Sequence, residues 1–287
     1  MSQVAGTKQP KPLERRPVDP SGRRQHAAKR TRWTEFRHNH LGSILVPVVV
    51  VVAWQIYVWV GQPNPRVFPG PIAVVRELFA MQELGLLMPA FLESMKGYVV
   101  GTGLAIAVGM VLSIAIGLSK LAQVVTMPYL WAFFSMPRVA LVPLLILWFG
   151  LGFDLVIATV FLSAVVPLII QVVEGMRTID GSLLRMSHMF CAGRVDILRK
   201  VVFPGTVPYV ANGMRQCLSR GFIGLIVVEM LVGSEGLGRQ AMRASQQFNT
   251  ARVMAMIGVL VAISVLLVVV SKIIEASVSR WRETVAV

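Results

Sequence analysis

Three ionisable side chains, Arg138, Arg220 and Glu229, stand in stretches that otherwise hold mostly apolar residues. A charge at the centre of a bilayer-spanning helix costs roughly 2.5–3.5 kcal/mol on insertion scales. Each of the three therefore needs a partner, a water-filled path or a nearby interface. Arg138 follows Pro137 and precedes the apolar run Val139–Phe149. Proline frees backbone polar groups, and in lipid these are tolerated only beside protein or a cavity. A broken helix carrying an arginine is thus a candidate lining of a translocation path. Arg220 is either a second such residue or a side chain that snorkels to the interface. Glu229 has little reach for snorkelling and reads as structural or path-lining.

Other chemistry is missing from the sequence. No Gly-x-x-x-x-Gly-Lys-Ser/Thr loop occurs. The cluster Gly233-Ser234-Glu235-Gly236-Leu237-Gly238 lacks the phosphate-binding lysine and reads as a turn at the membrane surface. His26, His38, His40 and His188 form no metal-binding pattern, and Cys191 and Cys217 have no Cys-x-x-Cys partner. No catalytic site, metal or cofactor is expected. A chain of this kind that pumps must take its energy from elsewhere.

The elements that position these residues are apolar runs. The chain has 287 residues, 55% hydrophobic and 15% charged, against about a quarter charged in soluble domains. A spanning helix needs roughly 20 apolar residues. Six stretches qualify: about 41–60, 97–118, 127–150, 155–173, 213–232 and 253–270. Both termini are expected in the cytoplasm. That orientation places 19 Lys/Arg inside and six outside, with three within spans, as the positive-inside tendency requires. The net charge of +14 then reflects topology and attraction to anionic lipid rather than nucleic-acid binding. Residues 1–40 carry ten Lys/Arg and three acids without apolar periodicity, and are expected to form a disordered basic tail ahead of a transmembrane domain over 41–283.

Two connections are long. In 61–96, prolines precede Ile72, Val75, Leu78 and Phe79 at helical spacing, which predicts an amphipathic helix near the outer surface. In 174–212, Leu183, Met186, Phe190, Ile197 and Leu198 recur among basic residues until Pro204 and Pro208. The second span carries Gly97, Gly101, Ala105, Gly109, Ser113 and Gly117 every fourth residue, a stripe that lets helices approach closely in lipid.

Residues 183–210, LLRMSHMFCAGRVDILRKVVFPGTVPYV, resemble the cytoplasmic EAA loop of binding-protein-dependent ABC importer permeases. Val201-Val202-Phe203-Pro204 matches that loop's apolar ending, and Arg194, Arg199 and Lys200 match its basic stretch. The front departs: the family's Glu falls on Arg185, its alanines on Met186 and Ser187, and its Gly on Cys191. Ala140–Gly152 resembles the third-span signature of permeases for nitrate, sulfonate and taurine. Glu229-Met230-Leu231, Gly236-Leu237-Gly238 and Phe248–Val253 are similar to that subfamily's C-terminal region.

The resemblance implies an all-α, six-span, type I importer-like permease of the cell inner membrane. It implies cytoplasmic ATPase subunits, an extracytoplasmic solute-binding protein and a second permease copy as partners. The coupling segment would cover about 177–205. Leu183, Met186 and Phe190 would be buried against the ATPase, with Arg185, Cys191, Arg194 and Pro204 at matching loop positions. A basic helix lying on lipid, a secondary transporter coupled through Arg138 and Glu229, and a membrane enzyme are the competing readings. The last has no credible nucleophile or metal constellation in its favour.

Overall fold

The computed structural model describes residues 45–179, 181–190, 192–233 and 235–278, and every regular element among them is helical. The basic tail of residues 1–40 lies outside the described residues. The chain divides into two units, residues 1–60 and 61–287. In the first unit, α1 covers Leu45–Gly61, and the expected start of that span, residues 41–44, is outside the described residues.

The second unit runs through α2 (Pro71–Glu83), α3 (Leu87–Gly117), α4 (Lys120–Ser135), a 3-10 turn (Arg138–Leu141), α5 (Val142–Phe149) and α6 (Phe153–Arg177). It continues with α7 (Gly181–Met189), α8 (Arg194–Ile197), a π-helical turn (Leu198–Val202), α9 (Phe203–Leu231), α10 (Leu237–Gln246) and α11 (Thr250–Val278). Among the described residues, three helices are long and apolar enough to cross a membrane: Leu87–Gly117, Phe153–Arg177 and Thr250–Ile273. The pair α4 and Arg138–Phe149, bent by 93°, makes a fourth if taken as one span. Helices thus lie at all six expected positions, but α1 is short in its described part, and α9 carries Arg215, Arg220 and Glu229 within its length.

Several boundaries differ from the sequence reading. α3 begins ten residues before the expected 97, because Glu93 and Lys96 pair along the helix at 3.5 Å and Ser94 is buried. α9 likewise begins at Phe203, with Pro204 in its first turn, where a missing N–H costs nothing. Pro204 has no N–H for the carbonyl four residues before it, and the π-helical turn sits just there. The third expected span is not one helix. α4 ends at Ser135, and the backbone closes on itself by short-range bonds, Met136 N–H to the Phe133 carbonyl and Ala140 N–H to the Pro137 carbonyl. In α2, Leu78 and Met81 pack inward, while Ile72, Val75 and Phe79 stay exposed. In a membrane protein such exposed apolar faces suit contact with lipid or partner helices.

α6 is the centre. It is far more buried than α3 or α11, and α3 and α9 pack on it through small residues. A Cβ added at Gly101 would lie 2.7 Å from the Val160 side chain and 3.1 Å from the Ile157 carbonyl oxygen. The same stripe faces Val156 at Gly97, Leu168 and Val165 at Gly109, and Met176 at Gly117. From α9, Gly213 meets Leu168, Gly221 meets Thr102 and Ala164, and Gly224 meets Ser163. The expected packing stripe is therefore the α3–α6 interface, and a second seam joins α6 to α9.

The far end of α9 is fastened by one carboxylate. Glu229 is 2% exposed and Ser94 1%. The Ser94 hydroxyl donates to Glu229 Oε1 at 2.6 Å, and the Gly238 N–H donates to Oε2 at 2.8 Å. The Leu237 N–H in turn donates to Ser94 Oγ at 2.9 Å. Leu237 and Gly238 open α10, so the carboxylate satisfies orphan donors at a helix N-terminus, where the dipole favours negative charge. Gly236, at φ +108°, leaves no room for a side chain: a Cβ there would sit 2.4 Å from Glu229 Oε1. Across the same side, Arg252 Nε donates to Glu77 Oε1 at 2.7 Å, tying α11 to α2.

Two outcomes follow for the purified protein. Replacing Gly101 or Gly224 with Val should destabilise it by about 1–3 kcal/mol through overpacking. Gly103→Val, where nothing lies within 4 Å, should not; thermal unfolding in detergent reads the difference. Glu229→Ala should lower the same midpoint more than Ser94→Ala, at about 1–3 kcal/mol per buried group left unpaired, and should expose the loop after α9 to limited proteolysis.

Candidate translocation and coupling sites

The structure brings together two of the three charges singled out in the apolar runs. Arg138 begins the 3-10 turn after the break, and Arg220 lies within α9. Both guanidinium groups lie over the same ring, that of Phe134 near the end of α4, with carbon-to-centroid distances of 5.8 Å for Arg138 and 5.3 Å for Arg220. Trp131 packs edge-on against Phe134 at 5.6 Å. The ring's negative face offsets part of each cation's desolvation, about 0.5–2 kcal/mol per contact. Neither arginine has a carboxylate within 4.0 Å among the described residues. Arg138 Nη2 is buried without a hydrogen-bond partner among them.

Glu229 is elsewhere. Its carboxyl oxygens are taken by Ser94 and Gly238. Arg215, also on α9, pairs with Glu275 of α11 at 3.5 Å and donates to Asn212 Oδ1 at 2.7 Å. Asn212 donates in turn to Gln171 of α6 at 2.9 Å.

At the other end of α9 lies the loop-like segment. α7 holds Leu183, Arg185 and Met186, all exposed, and Phe190 follows it at 80% exposure. The apolar recurrence from Leu183 to Leu198 does not lie on one continuous helix. α7 stops at Met189, and α8 starts at Arg194. Cys191 lies outside the described residues, and of Arg194 only the backbone is described. Ile197 is buried, and Pro204 is half-buried in the first turn of α9. The exposed apolar residues Leu183, Met186 and Phe190 therefore lie on a short helix and the turn after it, joined to α6 on one side and to α9 on the other. A cavity of about 900 Å³ opens beside the segment, lined by Lys120, Gln123, Met127, Trp131, Arg177 and Val202 among others.

Phe134, Ser94 and the α10 N-terminus were not singled out by sequence reasoning as partners of these charges. Phe134 is one of several aromatic residues in its run, and Ser94 sits ahead of the apolar stretch that marked its span.

Residues 101–283 match the family described as binding-protein-dependent transport system inner membrane component. SsuC of Bacillus subtilis (strain 168), named for aliphatic sulfonates transport, is 28% identical over 86% of this chain and 90% of its own. TauC of Escherichia coli (strain K12), a taurine transport system permease protein, is 25% identical over 87% of this chain and 92% of its own. RibX of Chloroflexus aurantiacus, a riboflavin transport system permease protein, is 27% identical over 92% and 97%. Among solved structures, an inward-facing MetNI methionine ABC transporter chain superposes with a TM-score of 0.60 at 18% identity, covering 69% of this chain and 98% of that one. An amino acid ABC transporter chain gives 0.55 at 13% identity. The helical order and these likenesses agree: this is a multi-pass membrane protein, and it belongs to the family of binding-protein-dependent transport system inner membrane components, the permeases of ABC importers.

Proposed function

We propose that the chain is the pore-forming subunit of an inner-membrane importer for a small anion such as a sulfonate, taurine or nitrate, driven by a separate ATPase docked on α7 and α8. In this reading six helices cross the bilayer: α1, α3, the bent α4–α5 pair, α6, α9 and α11. Both termini face the cytoplasm, and the basic tail ahead of α1 meets anionic lipid. A second copy of the permease completes the path. The binding protein delivers solute at the outer end, over residues 61–90 and 233–250.

The observation that carries the reading is the coupling segment. Apolar side chains at Leu183, Met186 and Phe190 stand exposed on a short helix and its following turn, between two helices packed together along a glycine seam. Burying them in an ATPase groove gains about 25 cal/mol per Å², and Arg185, Arg199 and Lys200 orient the contact. ATP binding that draws two such segments together moves α6 and α9 as a unit and switches the side on which the path is open, a two-state change biased by nucleotide. The preference for an anion rests on Arg138 and Arg220, and on relatives named for sulfonates and taurine; RibX shows that the likeness spans other solutes. A secondary transporter coupled through Arg138 and Glu229 is the weaker alternative, because Ser94 and Gly238 already occupy the Glu229 oxygens.

Replacing Leu183 and Phe190 together with Asp should detach the ATPase, with at least a tenfold drop in co-purified ATPase per permease, while the permease still inserts and keeps its thermal midpoint. Undiminished co-purification would place the docking surface elsewhere.

A further inference from the structure

We propose that Arg138 and Arg220 form one binding subsite, built on the Phe134 ring, for the oxyanion head of a sulfonate-type ligand. The inference rests on the permease reading and adds to it a defined point of contact inside the chain.

The argument begins with where the charges sit. Arg138 comes from the break between α4 and α5, and Arg220 from α9, yet both guanidinium groups settle over a single aromatic ring at 5.8 Å and 5.3 Å. Like charges brought to one place in apolar surroundings repel, and the repulsion grows as the dielectric falls. Three other helical cations have carboxylate partners: Arg177 with Glu174, Arg215 with Glu275 and Arg252 with Glu77. At Phe134 no carboxylate is supplied among the described residues. The ring can stabilise the cations but cannot accept in-plane hydrogen bonds from their N–H groups. Arg138 Nη2 accordingly stays buried with no partner among the described residues, an arrangement that is costly unless something else accepts.

The missing component is an anion with several oxygens. Guanidinium is a planar fork that suits two acceptor oxygens at once, and such charge-assisted pairs are about twice as strong as neutral ones. A sulfonate head presents three oxygens and stays ionised throughout the physiological pH range, so it can meet both forks. The break supplies access. Pro137 ends the α4 ladder, the chain bends by 93°, and Arg138 stands on the short turn beyond it rather than on a continuous helix wall. Arg220 is exposed on the surface of the single chain, so the subsite opens away from the packed interior.

The test uses the full-length chain in lipid nanodiscs and measures binding of methanesulfonate, with dimethyl sulfone as a neutral match of similar shape. The wild-type chain should bind methanesulfonate saturably and dimethyl sulfone not at all. Arg138→Gln and Arg220→Gln should each weaken methanesulfonate at least tenfold, and the exposed Lys272→Gln control should leave it unchanged. Lysine at either position, which keeps the charge but loses the fork, should fall between. Should a glutamine variant lose its thermal midpoint, the lysine variant decides. Equal binding of the two compounds, no saturable binding by the wild type, or undiminished binding by the folded variants would each overturn the subsite. Co-purification with the ATPase is read in parallel. If it holds while methanesulfonate binding fails, the subsite is wrong and the permease reading stands; if the wild-type chain recruits no ATPase, the permease reading itself fails.

Discussion

The arrangement depends on how closely α6 and α9 approach each other. Helices in lipid gain little from hydrophobicity alone, because the surrounding tails are equally apolar, so contact must come from shape. Here shape comes from glycine: Gly175 against Tyr209, Gly213 against Leu168 and Gly224 against Ser163 leave no space for a single added carbon without displacement. α3 repeats the device on another side of α6. A seam this tight offers few ways to slide, so the two helices are expected to move together. The segment between them, α7 and α8, is carried on the ends of both.

α9 gathers the three features that bear on function. Its first turn receives the chain from the π-helical turn below Pro204. Its middle holds Arg220 over Phe134. Its last turns hold Glu229, locked to α3 and to the start of α10. One helix thus links the proposed docking surface, the cationic pair and the loop that follows α9. The charges along it are handled in two different ways. Glu229 is fully partnered by its neighbours, whereas Arg138 and Arg220 share an aromatic ring and lack acids among the described residues. The first arrangement suits holding a loop in place, and the second leaves capacity for a ligand.

Much of this was legible in the sequence, for reasons that also mark where legibility ends. Apolar runs located the helices because burial in lipid is written residue by residue. The four-residue stripe in α3 announced a packing face because small residues at that spacing have one use in lipid. Pro137, just before Arg138, announced a broken helix. What a run of hydrophobicity cannot show is a helix that continues past it. Glu93, Ser94 and Lys96 hid the start of α3, and the prolines at 204 and 208 hid the start of α9. Pairings across the fold were equally invisible. Glu229 and Ser94 lie on different helices, far apart in the chain, and neither residue type names the other. Phe134 looked like one more apolar residue until two arginines were found over it. The loop resemblance gave no sign of the interruption after Met189, which only the backbone reveals.

The account holds that a membrane chain without a phosphate-binding loop of its own is driven through α7 and α8, and this requires those helices to lie in the cytoplasm. The most direct measurement is accessibility of a single cysteine at position 196, introduced as Asp196→Cys in a chain carrying Cys191→Ser and Cys217→Ala. A membrane-impermeant maleimide should label it in inverted membrane vesicles and leave it unlabelled in intact cells. Labelling from outside intact cells would contradict the account at its root.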